Sequence, residues 1–238
     1  MITVTGQTTV GELAREFPAS ARVFQHYGID FCCGGGKTLA EASQGKGISL
    51  DSLLEELEKA ERFPKRESTR DWNAATASTL IDHILDKHHA YLHSELPRLA
   101  GMLAKVIDAH GERHPDLLRP LSPVFAGLKK ELEEHMWKEE NVLFPLIRQM
   151  EQAEARVGAT PRMPVNGPIQ MMEIEHESAG HALRQLRQIS SDYQPPEDAC
   201  NTYRALLEGL KTMESDLHEH IHLENNILFP KALALQGR

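Results

Sequence analysis

The stretch HMWKEENVLFP at residues 135–145 returns as HIHLENNILFP at residues 220–230. In each copy a His is followed four residues later by a Glu, as His135 with Glu139 and His220 with Glu224. Four residues is about one turn of helix, so each pair shares a face. A further carboxylate stands one turn earlier, Glu131 in the first copy and Asp216 in the second. Self-similarity of this kind signals duplicated architecture. Each copy would contribute a helical hairpin, and two hairpins packed face to face give an up-down four-helix bundle.

Working outward, four segments carry helical periodicity: Thr79 to Ala109, Pro115 to Ala155, Pro168 to Ser191 and Glu197 to Ala234. Strand-like alternation is not visible. Loops rich in Gly and Pro at 158–167 and 194–196 separate the later segments. A polar stretch from Phe63 to Ser68 divides this region from a shorter one. There, Val10 to Phe17, Ser20 to Tyr27 and Leu50 to Arg62 read as helices, with a Gly-rich turn from Gly28 to Gly36. The chain is therefore expected to be all-α, with a small helical domain at 1–64, a linker and entry at 65–78 and the bundle at 79–238.

A helix advances about 100° per residue, which tests each His against the apolar stripe of its own segment. His89 falls within about 40° of the seam formed by Leu85, Leu92, Leu96, Leu99 and Leu103. His88 and His93 lie on the flanks, and His83 lies nearly opposite. In the second segment Val124, Leu128, Val142 and Leu146 define a stripe that includes Glu131, His135 and Glu139. His176 sits among Ile169, Met172, Gly180 and Leu183, whereas His181 points away. In the fourth segment Asp216, His220 and Glu224 share a face with Met213 and Ile227, and His218 and His222 read as solvent-facing. His110 and His114 read as surface residues.

One inward His per helix, two of them paired with Glu, is an expensive set to bury. Each unpartnered ionisable group in an apolar seam costs several kcal/mol, roughly, and metal coordination offsets that cost. Imidazoles and carboxylates without thiolates suit iron, manganese or zinc, and two adjacent metals inside a helical bundle point to di-iron. The ligands expected are His89, His135, Glu139, His176, His220 and Glu224. Glu131 and Asp216 are candidates for orienting an imidazole, relaying protons or lining an iron path.

Composition supports this direction. There are 13 His, and the net charge of -9 disfavours a nucleic-acid partner, whose phosphates need clustered Lys and Arg. No apolar run is long enough for a membrane span, and the first residues lack the pattern of a secretory signal, so a cytoplasmic setting is expected. Three Cys fit a reduced compartment better than a disulfide framework. Cys32 and Cys33 precede Gly34, Gly35, Gly36 and Lys37, and Thr38 with Glu41 forms a capping box for a following helix. Helix-terminal amides and Lys37 would favour a thiolate there. A structural turn is the plainer alternative. Cys200 reads as a small buried residue.

The elements FCCGGGKTLAEA at 31–42, HMWKEENVLFP at 135, IEHESAG at 174 and HIHLENNILFP at 220 together resemble the RIC family, the di-iron proteins for repair of iron centres, nearly end to end. The bundle is similar to a hemerythrin-like domain. The resemblance implies two oxo-bridged non-haem iron ions held by the six ligands above, with Glu139 and Glu224 bridging. It implies repair of iron-sulfur clusters damaged by oxidative or nitrosative stress, by iron donation to client proteins, with Cys32 and Cys33 as functional thiols. NO, O2 or peroxide would be the small ligands, and a homodimer is compatible. The alternatives are an NO-reducing or peroxidase-like enzyme and an O2 or NO sensor. Oxygen-carrying hemerythrins place a further His where this chain has Gly180, which argues against reversible O2 carriage.

Overall fold

The computed structural model describes residues 4–32, 34–62, 71–154 and 164–236. Cys33, the polar break at 63–68 with the expected boundary at residue 64, and most of the loop at 158–167 lie outside the described residues.

In chain order the helices are α1 (Val10–Glu16), α2 (Ser20–His26), α3 (Leu39–Gly45), α4 (Leu50–Arg62), α5 (Ala77–His83), α6 (Ala90–His110), α7 (Pro115–Lys138), α8 (Phe144–Glu154), α9 (Asn166–Ile189), α10 (Asn201–Leu223) and α11 (Phe229–Gln236). Three π-helical stretches, Ile84–His89, Glu139–Leu143 and Glu224–Leu228, join α5 to α6, α7 to α8 and α10 to α11. The result is four continuous rods, matching the four segments expected, and no strand exists among the described residues beyond one bridge between Thr9 and Thr38. By their contacts the residues form two compact units, Ile81–Leu217 and Met1–Leu80 with His218–Arg238.

The Ile81–Leu217 unit is a helical bundle around Leu92, Leu96, Leu99, Leu121, Phe125, Leu128, Leu183, Leu206 and Leu210, all buried. Each such Leu contributes roughly 1.5–3 kcal/mol by leaving water. Pro115 opens α7 at a position where its missing N–H costs nothing. Gly209 lets α10 approach α6 closely, since a Cβ there would lie 2.6 Å from Leu99 Cδ2. After α9 the chain turns through Ser191, Asp192 and Tyr193, all left-handed, while Arg187 holds the buried Glu214 at 2.8 Å.

In the other unit, α1 to α4 close over Val10, Leu13, Phe24, Phe31, Leu39 and Leu53. The capping box expected at α3 is present, with the Glu41 amide donating to Thr38 Oγ1 and the Thr38 amide donating to Glu41. α1 packs on the π stretch Glu224–Leu228, where a Cβ on Gly11 would stand 2.7 Å from Asn226 Oδ1. Asn225 and Asn226 donate to the backbone carbonyls of Cys32 and Phe31, each at 3.4 Å. Among the described residues, no helix is long and apolar enough to cross a membrane.

The π stretches correct the periodicity. Val142 is 51% exposed, and Leu146 and Leu85 are only half-buried, whereas Leu143, Ile147 and Ile84 are buried. A π turn inserts one residue, so a count at constant 100° slips by one position beyond it. The amides of Ala90, Phe144 and Phe229 donate five residues back, to the carbonyls of Leu85, Glu139 and Glu224. Pro145 and Pro230, which cannot donate at all, stand two residues past the ends of two of these stretches.

Candidate metal centre

Within the Ile81–Leu217 unit three rods bring imidazoles together. His89 ends one π stretch and Glu139 begins another, while His135 stands one turn before Glu139 and His176 comes from α9. All four are buried. Glu139 Oε2 lies 3.3 Å from His89 Nε2 and 3.2 Å from His135 Nε2, and His135 Nε2 lies 3.1 Å from His176 Nε2. Donor atoms of His135, Glu139 and His176 all fall within 4.8 Å of one another.

The opposite ring nitrogens explain what this arrangement wants. His89 Nδ1 meets Glu140 at 2.8 Å, and His135 Nδ1 meets Glu175 at 2.9 Å. A ring that donates Nδ1–H to a carboxylate presents its lone pair at Nε2. Two lone pairs therefore face the same carboxylate oxygen of a wholly buried Glu139, an electron-rich contact that a cation between the atoms relieves. Ligands of one metal with bonds of about 2.1 Å at near-right angles stand about 3 Å apart, which these separations match. The donors fit a first-row divalent metal.

Glu140 and Glu175 were not found from periodicity. Burial pushes Glu140 up, but hydrogen bonds from His93 and His89 outweigh it and hold its carboxyl below the ordinary value. The hydrogen bond from His135, opposed by partial burial and reinforced by Lys138, holds Glu175 at about 2. The available signal was adjacency: each is a chain neighbour of an expected ligand, Glu140 of Glu139 and Glu175 of His176. Glu175→Gln is expected to weaken iron binding about 10–100-fold, measured by chelator competition. Because its pKa is depressed, Glu175 stabilises the metal-free fold fully above its ordinary 4.5 and loses that effect as pH falls toward about 2. Urea melts of the metal-free wild type and Glu175→Gln should therefore differ most near neutral pH and converge in acid. A gap independent of pH would contradict the assignment.

In the other unit His220 and Glu224 form their own buried pair, with Nε2 and Oε1 3.1 Å apart. Among the other residues singled out from sequence, Glu131 is exposed and accepts from Ser178 Oγ at 3.0 Å, which corrects its inward placement. Asp216 is half-buried and its Oδ1 lies 3.0 Å from Nδ1 of His88, a fully buried ring that the constant count put on the flank. Cys32 is buried and its Sγ donates to Asp30 Oδ1 at 3.2 Å. His222, expected in solvent, is buried beside Phe31 and Asn226, and burial lowers it to about 4, so it stays neutral. His110 is likewise buried, and Cys200, expected inside, is exposed because Ala199 takes the inward position ahead of α10. Gly180 is buried one turn after His176 and brings no side chain of its own to serve as a further ligand.

Residues 80–232 match the Hemerythrin HHE cation binding domain, and residues 6–61 match a domain of unknown function, DUF542. The chain is 38% identical over 225 residues to the iron-sulfur cluster repair protein YtfE of Yersinia pseudotuberculosis serotype IB (strain PB1/+), covering 94% of this chain and 96% of that protein. The protein of the same name from Salmonella schwarzengrund (strain CVM19633) is 37% identical over the same share of each chain. With this identity along almost the whole length and with its own matches to both domain models, the chain belongs to the RIC family of hemerythrin-like proteins.

Proposed function

We propose that this protein holds two iron ions and restores iron-sulfur clusters damaged by oxidative or nitrosative stress, by donating iron to client proteins. The observation that carries the reading is the Glu139 carboxylate, faced by two imidazole nitrogens whose partner nitrogens are tied to Glu140 and Glu175. The names of the relatives supply the process. In this reading His220 and Glu224 complete the centre, as the repeat of the motif suggests.

When bound, iron would supply Lewis-acid, redox-active positions for small ligands such as NO or O2. The chain's own residues do the rest. Glu140 and Glu175 fix ring orientation and keep Nε2 available. The buried leucines around the bundle exclude water. Gly180 supplies no ligand one turn after His176, which favours a labile ion over a tightly caged one. Cys32, together with Cys33, is proposed to receive iron on the way to a client, since its loop is anchored through Asn225, the neighbour of Glu224.

The test is to incubate iron-loaded protein with an NO-damaged iron-sulfur client and to follow iron transfer and NO consumption together. Transfer without NO turnover is expected. Sustained NO or peroxide consumption with iron retained would favour the enzyme instead, and ligand-dependent rearrangement without either would favour a sensor. Cys32→Ser with Cys33→Ser is expected to slow transfer while leaving bound iron unchanged.

A further inference from the structure

We propose that His110, His114 and Asp198 form a separate, mononuclear site for a divalent transition metal in the bundle unit. His110 ends α6, His114 precedes α7, and Asp198 lies ahead of α10, so two loops meet there. One donor atom from each lies within 4.8 Å of the others. His114 Nε2 stands 2.8 Å from Asp198 Oδ1. Two imidazoles and one carboxylate with open positions suit zinc, ferrous iron, cobalt or nickel. The cluster is independent of the centre described above, for His110 lies 21 residues along the rod from His89, which is about 30 Å of helix.

A second feature sets these side chains apart from a chance surface group. His110 is buried, and the wholly buried Tyr203 lays its ring against both imidazoles, with centroids 5.3 and 6.0 Å away, so that the rings have little room to turn. The Tyr203 hydroxyl is buried and has no hydrogen-bond partner among the described residues. A ligand or its bound water in the cluster would give that hydroxyl something to bond.

Arg113 is the competitor. Its guanidinium lies 3.4 Å from His110 Nδ1 and 3.3 Å from Asp198 Oδ2, filling part of the place a cation would take. Its side chain is 60% exposed, so it can leave for solvent at little cost. A guanidinium only donates, so this contact favours the His110 tautomer with its lone pair on Nδ1. A metal would replace one cation with another and bind both loops.

The experiment is Co2+ titration of the full chain with its iron as purified, followed by visible d–d absorption and by equilibrium dialysis. Wild type is expected to take up one Co2+ more than His114→Ala or Asp198→Asn. Residual affinity at the cluster in those variants should be at least tenfold weaker, about the least loss that removing even a supporting residue brings. The comparison is between variants, so iron occupancy of the main centre does not affect it. Both substitutions fall on solvent-touching side chains, and unchanged circular dichroism would confirm folding. Arg113→Ala should bind Co2+ several-fold more tightly than wild type. Equal uptake by wild type and both ligand variants, or no gain in Arg113→Ala, would overturn the proposal and leave a loop clamp of ion pairs.

Discussion

Glu139→Ala is expected to lower iron affinity more than any other single substitution, by more than the ~100-fold that marks the upper end for removing a supporting residue. Its carboxylate oxygen is the point on which His89 and His135 converge, so its loss disconnects two rods' donors at once. Glu139→Gln separates charge from shape. The amide keeps the volume but cannot match two lone pairs with a cation between them, so iron should again be lost. Without metal, however, Glu139→Gln should melt no lower than wild type, because a wholly buried carboxylate is itself costly to the metal-free fold. Metal analysis and calorimetry of loaded and stripped protein would check both halves. Full retention of iron in Glu139→Ala would remove the central claim.

Inserting one Ala after Val142 is expected to be as damaging to the fold as Glu139→Ala is to the metal. The stretch Glu139–Leu143 already accommodates one extra residue, and a second would rotate everything beyond it about 100° relative to His135. Ile147 and Met150, now buried, would turn from the core while exposed positions turned in. Two buried side chains at roughly 1.5–3 kcal/mol each are a large part of the ~5–15 kcal/mol that holds a typical domain together. The melting temperature should fall by about 10 °C or more. Val142→Ala, which keeps the count and alters only an exposed side chain, should be nearly neutral. If the insertion and the substitution behaved alike, the residue count of the π stretch would not be setting the register.

These two results bear on how much the sequence revealed. The rods were readable because their leucines repeat at three and four over many turns, and the duplicated motif marks where two of them carry ligands. His135, His176 and Glu139 were readable because each lies on α7 or α9 or at the first residue past α7, where a constant 100° still holds. Glu131 was misplaced by the same arithmetic. Each step of four overshoots the seam by about 40°, and two such steps carry residue 131 about 80° from residue 139. The buried seam instead alternates threes and fours, through Leu128, Leu132, His135 and Glu139. His88, Leu85 and Val142 failed for a different reason. A π turn depends on tertiary packing and on the absent donor of a nearby Pro, and neither enters a count of residues. His110 and His222 failed because their burial comes from Tyr203 and Phe31, which are distant in sequence.

The two copies of the repeat differ at one place with an evolutionary consequence. After the closing glutamate the first copy has Glu140, bonded to His89, and the second has Asn225, bonded to the Cys32 carbonyl. Duplication gave the chain a spare residue at that position, and the two descendants have taken different work. The halves are paralogues that have ceased to be interchangeable. A symmetric protein assembled from two first hairpins would keep metal-binding chemistry but offer no amide to seat the thiol loop. One assembled from two second hairpins would keep the seat and lose the carboxylate that orients an imidazole.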